Sequence, residues 1–160
     1  MTIEEVELIG EKAVRIVTKS LERINENNEA DKNWNKEKDD DDEEFDDDDY
    51  AMIKEENNNE FDLQFAAAEL MGILFKTHIN FVSNLVTKLQ TEIIPAAFGS
   101  EDQKRRKFGL FVLDDMVEHL GPTYFSQDQF NQIVQTICSF SNNQSSSLRQ
   151  ASCYGIGIIC

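Results

Sequence analysis

The sequence predicts an all-α fold in which antiparallel helix pairs stack in order, with a long acidic loop set between two of the helices. Three observations carry this. Apolar residues recur at three- and four-residue steps, and no run alternates with the period of a strand. Breakers are scarce, with seven glycines and two prolines in 160 residues. The helical pattern also repeats at a fixed interval of about 43 residues.

The first helix is read from MTIEEVELIGEKAVRIVTKSLERI, where Ile3, Val6, Gly10, Ala13, Val17, Leu21 and Ile24 share one face. Thr2 and Glu5 form a capping box at its start. From Glu26 to Glu60 the periodicity dissolves into Asn, Asp, Glu and Lys, a composition that predicts a disordered linker. A helix returns at FDLQFAAAELMGILFKTH with two apolar stripes, Phe61, Phe65, Ala68, Gly72, Phe75 and Leu63, Ala67, Leu70, Leu74, so it should be buried on most sides. After Asn80, a candidate N-cap, Phe81, Leu85, Leu89 and Ile93 mark a one-faced helix that Pro95 and Gly99 kink or end. Ser100 with Gln103 announces the next helix, which Gly121-Pro122 stops. Ser126 and Gln129 form a further capping box, flanked by the apolar pair Phe125 and Phe130. A last helix begins at Ser147 and runs to Cys160.

The interval links Leu63, Arg106 and Arg149, and aligns Ala66, Gly109 and Ser152, small residues that let helices approach closely. A step of this size belongs to HEAT and armadillo units. The predicted architecture is therefore an α-solenoid of HEAT repeats. Residues 1–25 would be the second helix of a preceding repeat, 26–60 the acidic linker, 61–99 and 100–143 two repeats, and 144–160 the first helix of another, as expected of a piece of something longer.

The formal charge is −16, yet ten of the 31 acids fall within residues 39–49. Those ten are Asp39, Asp40, Asp41, Asp42, Glu43, Glu44, Asp46, Asp47, Asp48 and Asp49. Fixed anions at this density repel nucleic acid and anionic lipid and attract basic proteins, so the expected partners exclude nucleic acid and membrane insertion. A 35-residue coil from 26 to 60 would span roughly 30 to 35 Å and could sweep across several helices. The plainer reading of the run is a solubilising loop. Asp114, Asp115 and Glu118 form a second acidic group within one helical turn. They are candidate contacts for a basic partner on the concave face, or else an internal network with His119, Lys104–Lys107 or Arg149. The stretch KRRK reads either as a nuclear localisation signal or as inter-repeat salt-bridge partners. Cys138, Cys153 and Cys160 lie in apolar stretches without C-x-x-C spacing, which predicts reduced core thiols. No nucleophile, phosphate loop or metal-ligand spacing accompanies the carboxylates, so neither an enzyme nor a cofactor is expected.

The runs Phe108-Gly-Leu-Phe-Val-Leu-Asp-Asp-Met-Val-Glu-His119 and Leu148-Arg-Gln-Ala-Ser-Cys-Tyr-Gly-Ile-Gly157, with the acidic insertion before them, resemble consecutive HEAT helices of the importin-β (karyopherin-β) family. The resemblance implies a nuclear transport receptor shuttling between cytoplasm and nucleus. Its partners would be basic cargo such as ribosomal proteins and histones, FG nucleoporins, and the GTPase Ran bound through repeats outside this stretch. Ser152-Cys153 departs from the family's preference for two alanines, and the run Asn57-Asn58-Asn59 is this chain's own. Alternatives are a HEAT scaffold subunit of the phosphatase or condensin type, or an acidic chaperone for histones or ribosomal proteins.

Overall fold

The computed structural model describes the backbone of residues 2–36 and 47–160, and side chains of 2–29 and 51–160. The described residues form an all-α fold without strands. Seven α-helices follow in order: α1 (Ile3–Lys36), α2 (Asp47–Thr77), α3 (Ser83–Lys88), α4 (Ile94–Gly99), α5 (Gln103–Leu120), α6 (Gln127–Ser139) and α7 (Ser146–Ile159). None is long and apolar enough to cross a membrane.

Local chemistry explains most of the boundaries. The Thr2 and Glu5 side chains each accept from the other's backbone N–H, closing the box that opens α1. Ser126 and Gln129 do the same for α6. At α5 the cap moves: Asp102, not Ser100, accepts from the Lys104 N–H at 2.7 Å, while Ser100 accepts from the Asp102 N–H. For α7 the cap residue is Ser145, two positions before the expected Ser147. Asn80 lies inside a short 3-10 turn, and α3 begins after Val82 instead. Between α3 and α4, residues Leu89–Ile93 form a π-turn just ahead of Pro95, which cannot donate to the Thr91 carbonyl. The wider turn absorbs that missing donor without ending the helix. Gly121, at φ 73°, makes the left-handed stop of α5.

The helices lie in two rows. In the first, α2, α5 and α7 stand side by side; in the second are α1, the α3–α4 segment and α6. Neighbours within a row run parallel. Lys104 sits over the Phe61 ring, Phe65 packs edge-on against Phe108 at 5.9 Å, and Asp115 lies against Gly72, each pair 43 residues apart. The sequence interval is thus also the lateral register between α2 and α5. In the second row, Asn84 donates to Glu7, Leu85 covers Gly10, and the Phe98 and Phe140 rings stack at 5.3 Å. One apolar core fills the space between rows, built on Val17, Met71, Phe75, Leu89, Phe108, Leu110, Met116, Ile137 and Leu148.

Three expectations are corrected. The linker of 26–60 is largely helix, since α1 continues to Lys36 and α2 begins at Asp47. A polar seam replaces the missing apolar stripe: Arg23 forks onto Glu60 at 2.5 and 2.7 Å, Asn27 and Asn28 meet Asn57, and buried Ser20 bridges Gln64 and the Glu60 carbonyl. The second stripe of α2 is only half buried: Ala67 and Leu74 join the core, whereas Leu63 and Leu70 are exposed, as is the neighbouring Ile73. The three cysteines are free and exposed rather than core thiols; the faces of α6 and α7 that carry them have no described neighbour.

Candidate functional site

Of the ten acids in the run, Asp39–Glu44 and Asp46 lie outside the described residues, and Asp47–Asp49 open the backbone of α2. The described parts of the expected 35-residue coil, residues 26–36 and 47–60, are helical.

The second acidic group is positioned by α5, the middle helix of the first row. Asp114 and Asp115 are consecutive, so their side chains diverge by about 100°, and each enters a different helix interface. Asp115 turns toward α2, where Gly72 leaves room: a Cβ there would stand 2.6 Å from its Oδ2. Asp114 turns toward α7, where a Cβ on Gly155 would overlap its carboxylate and stand 2.8 Å from Ile137 Cγ2. Asp114 is 2 % exposed, and its Oδ1 has no hydrogen-bond partner.

Both carboxyls hold their protons unusually tightly. Burial, reinforced by the charges of Asp115 and Glu118, pushes Asp114 up to about 7. Burial also raises Asp115 to about 6; His119 opposes the rise, while Glu118 and Glu69 add to it. Glu118 is exposed and accepts a 2.9 Å hydrogen bond from the Tyr154 hydroxyl, whose own pKa is raised chiefly by that bond.

The expected basic partners of this group are occupied elsewhere. Arg149 donates to the carbonyls of Asn143 and Gln144, tying down the turn before α7. Arg105 reaches α1 through Asn25 and the Leu21 carbonyl, and Arg106 donates to the Ser100 carbonyl. Lys104 bonds Asn58 and lies over Phe61, and Lys107 lies 5.9 Å from the Phe65 ring centre. Among the described residues, KRRK therefore ties α5 to α1 and α2 through hydrogen bonds and cation–π contacts instead of salt bridges. His119 does lie within the acidic group. Asp115, Glu118 and His119 bring three donor atoms within 4.8 Å of one another. All three come from one turn and Glu118 already serves Tyr154, so we treat the set as the electrostatic surroundings of the buried pair.

Beside the pair runs an open groove of ≈ 640 Å³ between α2, α5 and α7. Asp114 and Asp115 line it with Phe65, Phe111 and Tyr154, and Asp62 and Lys107 lie at the same wall. Sequence reasoning found the two aspartates but not these aromatic walls, which come from three helices. The signal available was the 43-residue register, which sets Gly72 opposite Asp115. No family model, curated protein or solved structure matches this chain.

Proposed function

We propose that this chain is part of a HEAT-type α-solenoid that binds basic proteins, in the manner of a nuclear import receptor of the importin-β kind. The observation that carries the reading is the parallel stacking of α2 on α5 at a 43-residue offset. Helix pairs that repeat by translation expose long surfaces on both rows, which suits an adaptor for extended partners better than a closed catalytic pocket. The acidic residues 39–49 supply an anionic handle for lysine- and arginine-rich cargo. The repeat boundaries 61–99 and 100–143 and the roles of Ran and FG nucleoporins belong to the same proposal.

The test is capture of a histone or a basic ribosomal protein at low salt. The intact chain is compared with one whose ten carboxylates in 39–49 are changed Asp→Asn and Glu→Gln. The association rate should fall at least about tenfold and lose most of its salt dependence. An unchanged rate would remove the acidic handle from the reading. Binding of basic proteins without retention of FG-nucleoporin fragments would favour an acidic chaperone over a transport receptor.

A further inference from the structure

We propose that the paired segments 25–36 of α1 and 47–60 of α2 form an arm that opens from the helical body as one unit, hinged at Ser20 and Gln64 and latched by Lys104 and Arg105 of α5.

Burial changes abruptly along this helical hairpin. Val6, Ala13, Val17 and Ile24 of α1 and Phe61, Ala67, Met71 and Phe75 of α2 are core residues. Among the described side chains after Ile24 and before Phe61, none is buried. Apolar contact therefore holds the body but not the arm. The arm relies on polar contacts: Asn27 and Asn28 meet Asn57 across the seam, and Arg23 forks onto Glu60 beside the hinge. Exposed contacts of this kind are individually weak. Local helix preference adds little. The two segments have only about 12 and 14 helical residues, a length at which an isolated helix is marginal in water. Asn25, Asn27, Asn28, Asn57, Asn58 and Asn59 also disfavour helix interiors, because asparagine amides bond nearby backbone in non-helical conformations.

Hinge and latch sit where α1, α2 and α5 meet. Ser20 donates to the Glu60 carbonyl and accepts from Gln64 Nε2. Arg105 donates to Asn25 Oδ1 at 2.6 Å and to the Leu21 carbonyl at 3.3 Å. Lys104 donates to Asn58 and lies over the Phe61 ring. The body thus grips the arm with one cation on each of its helices. Two buried atoms at this junction, Gln64 Oε1 and Arg105 Nε, have no hydrogen-bond partner among the described residues. A buried donor and acceptor left unpaired raise the free energy of the closed state relative to one that admits water. Opening therefore relieves one cost while it breaks a few exposed contacts, and it releases both cations of α5. The arm is a unit of low local stability attached to a stable body.

The test is native-state hydrogen–deuterium exchange on the full chain. Amides of 51–58 should exchange at least about tenfold faster than those of 64–75. Arg105→Gln removes the grip on α1, and exchange should quicken at least about threefold throughout both 25–36 and 51–60. Asn25→Ala cuts the same contact from the arm side. Alanine is the better helix former, so local propensity alone would slow exchange there, whereas loss of the latch quickens it. Asn27→Leu combined with Asn57→Leu gives the seam an apolar pair and should slow arm exchange at least about tenfold, leaving 64–75 unchanged. Circular dichroism checks the fold of each variant. Wild-type exchange in 51–58 as slow as in 64–75 overturns the separate arm. A gradient from the tip, with the Arg105→Gln response confined to residues beside Asn25, is simple fraying and overturns the latched unit. Equal acceleration in 108–120 reports loss of global stability and overturns it too.

Discussion

Replacing Asp114 by asparagine removes a charge that the fold buries without a partner, and the pH dependence of stability should register the change. The carboxyl titrates at 3.8 when unperturbed and at about 7 in the folded protein. The native state therefore binds this proton more tightly than the unfolded chain, and the group carries no penalty below about pH 4. As pH rises through the folded value the native state must ionise a buried acid, at a cost approaching 4 kcal/mol, from about three pKa units at 1.36 kcal/mol each. Acidifying from about pH 8 to about pH 5.5 should return about 2 kcal/mol of that to the wild type. Asp115, raised to about 6, adds about 1 kcal/mol of the same sign. Urea unfolding followed by far-ultraviolet circular dichroism reads this directly. With a slope of about 2 kcal/mol per molar, the wild-type midpoint should rise by about 1 M or more on acidification. The Asp114→Asn midpoint should lie above wild type at pH 8 and rise by only about a third as much. A wild-type midpoint that is flat or falls over this range, or an asparagine variant with the full wild-type rise, would refute the burial argument.

Gly155→Ala should destabilise by about 1 to 3 kcal/mol, because its Cβ meets the Asp114 carboxylate and Ile137. Gly72→Ala should cost less, since Asp115 is half-buried and can swing aside. Gly157→Ala, with open space around it, should be neutral or stabilise by up to about 1 kcal/mol; thermal melts that rank the three differently would contradict the α5–α7 packing. Ser20→Ala leaves the Gln64 Nε2 donor buried without its acceptor, so stability should fall by about 1 to 3 kcal/mol. Losing that contact should also raise amide exchange in residues 51–60, measurable by hydrogen–deuterium exchange.

The parts of the fold legible in the sequence were those governed by neighbours three or four residues apart. The Thr2–Glu5 and Ser126–Gln129 boxes, the stripe from Val6 to Ile24, and the stop at Gly121 are local in this sense. The extension of α1 and α2 was not legible as an apolar pattern, because Arg23, Asn27, Asn57, Glu60 and Gln64 hold it through polar side chains on two distant segments. Those residues do fall at three- and four-residue steps, so a polar seam was readable had polar positions been counted with apolar ones. The cysteines misled because apolar neighbours in sequence do not specify which helix face is covered. Within the site, the acidic pair was visible as Asp114-Asp115, but its burial depends on Gly72 and Gly155 of other helices. Its groove needs aromatic residues from three helices that only lateral packing unites.

The length of α2 has a consequence for how far the two anionic regions feel each other. Asp115 lies level with Gly72, and α2 begins 25 residues earlier at Asp47. At 1.5 Å per residue that separation is about 38 Å along the axis, several times the Debye length of about 8 Å at physiological salt. Counter-ions thus isolate Asp47–Asp49 from the buried pair electrically, and ligation at one leaves the potential at the other untouched. A client long enough to touch both would gain avidity through tethering alone, whereas a short one would experience two unrelated binding events.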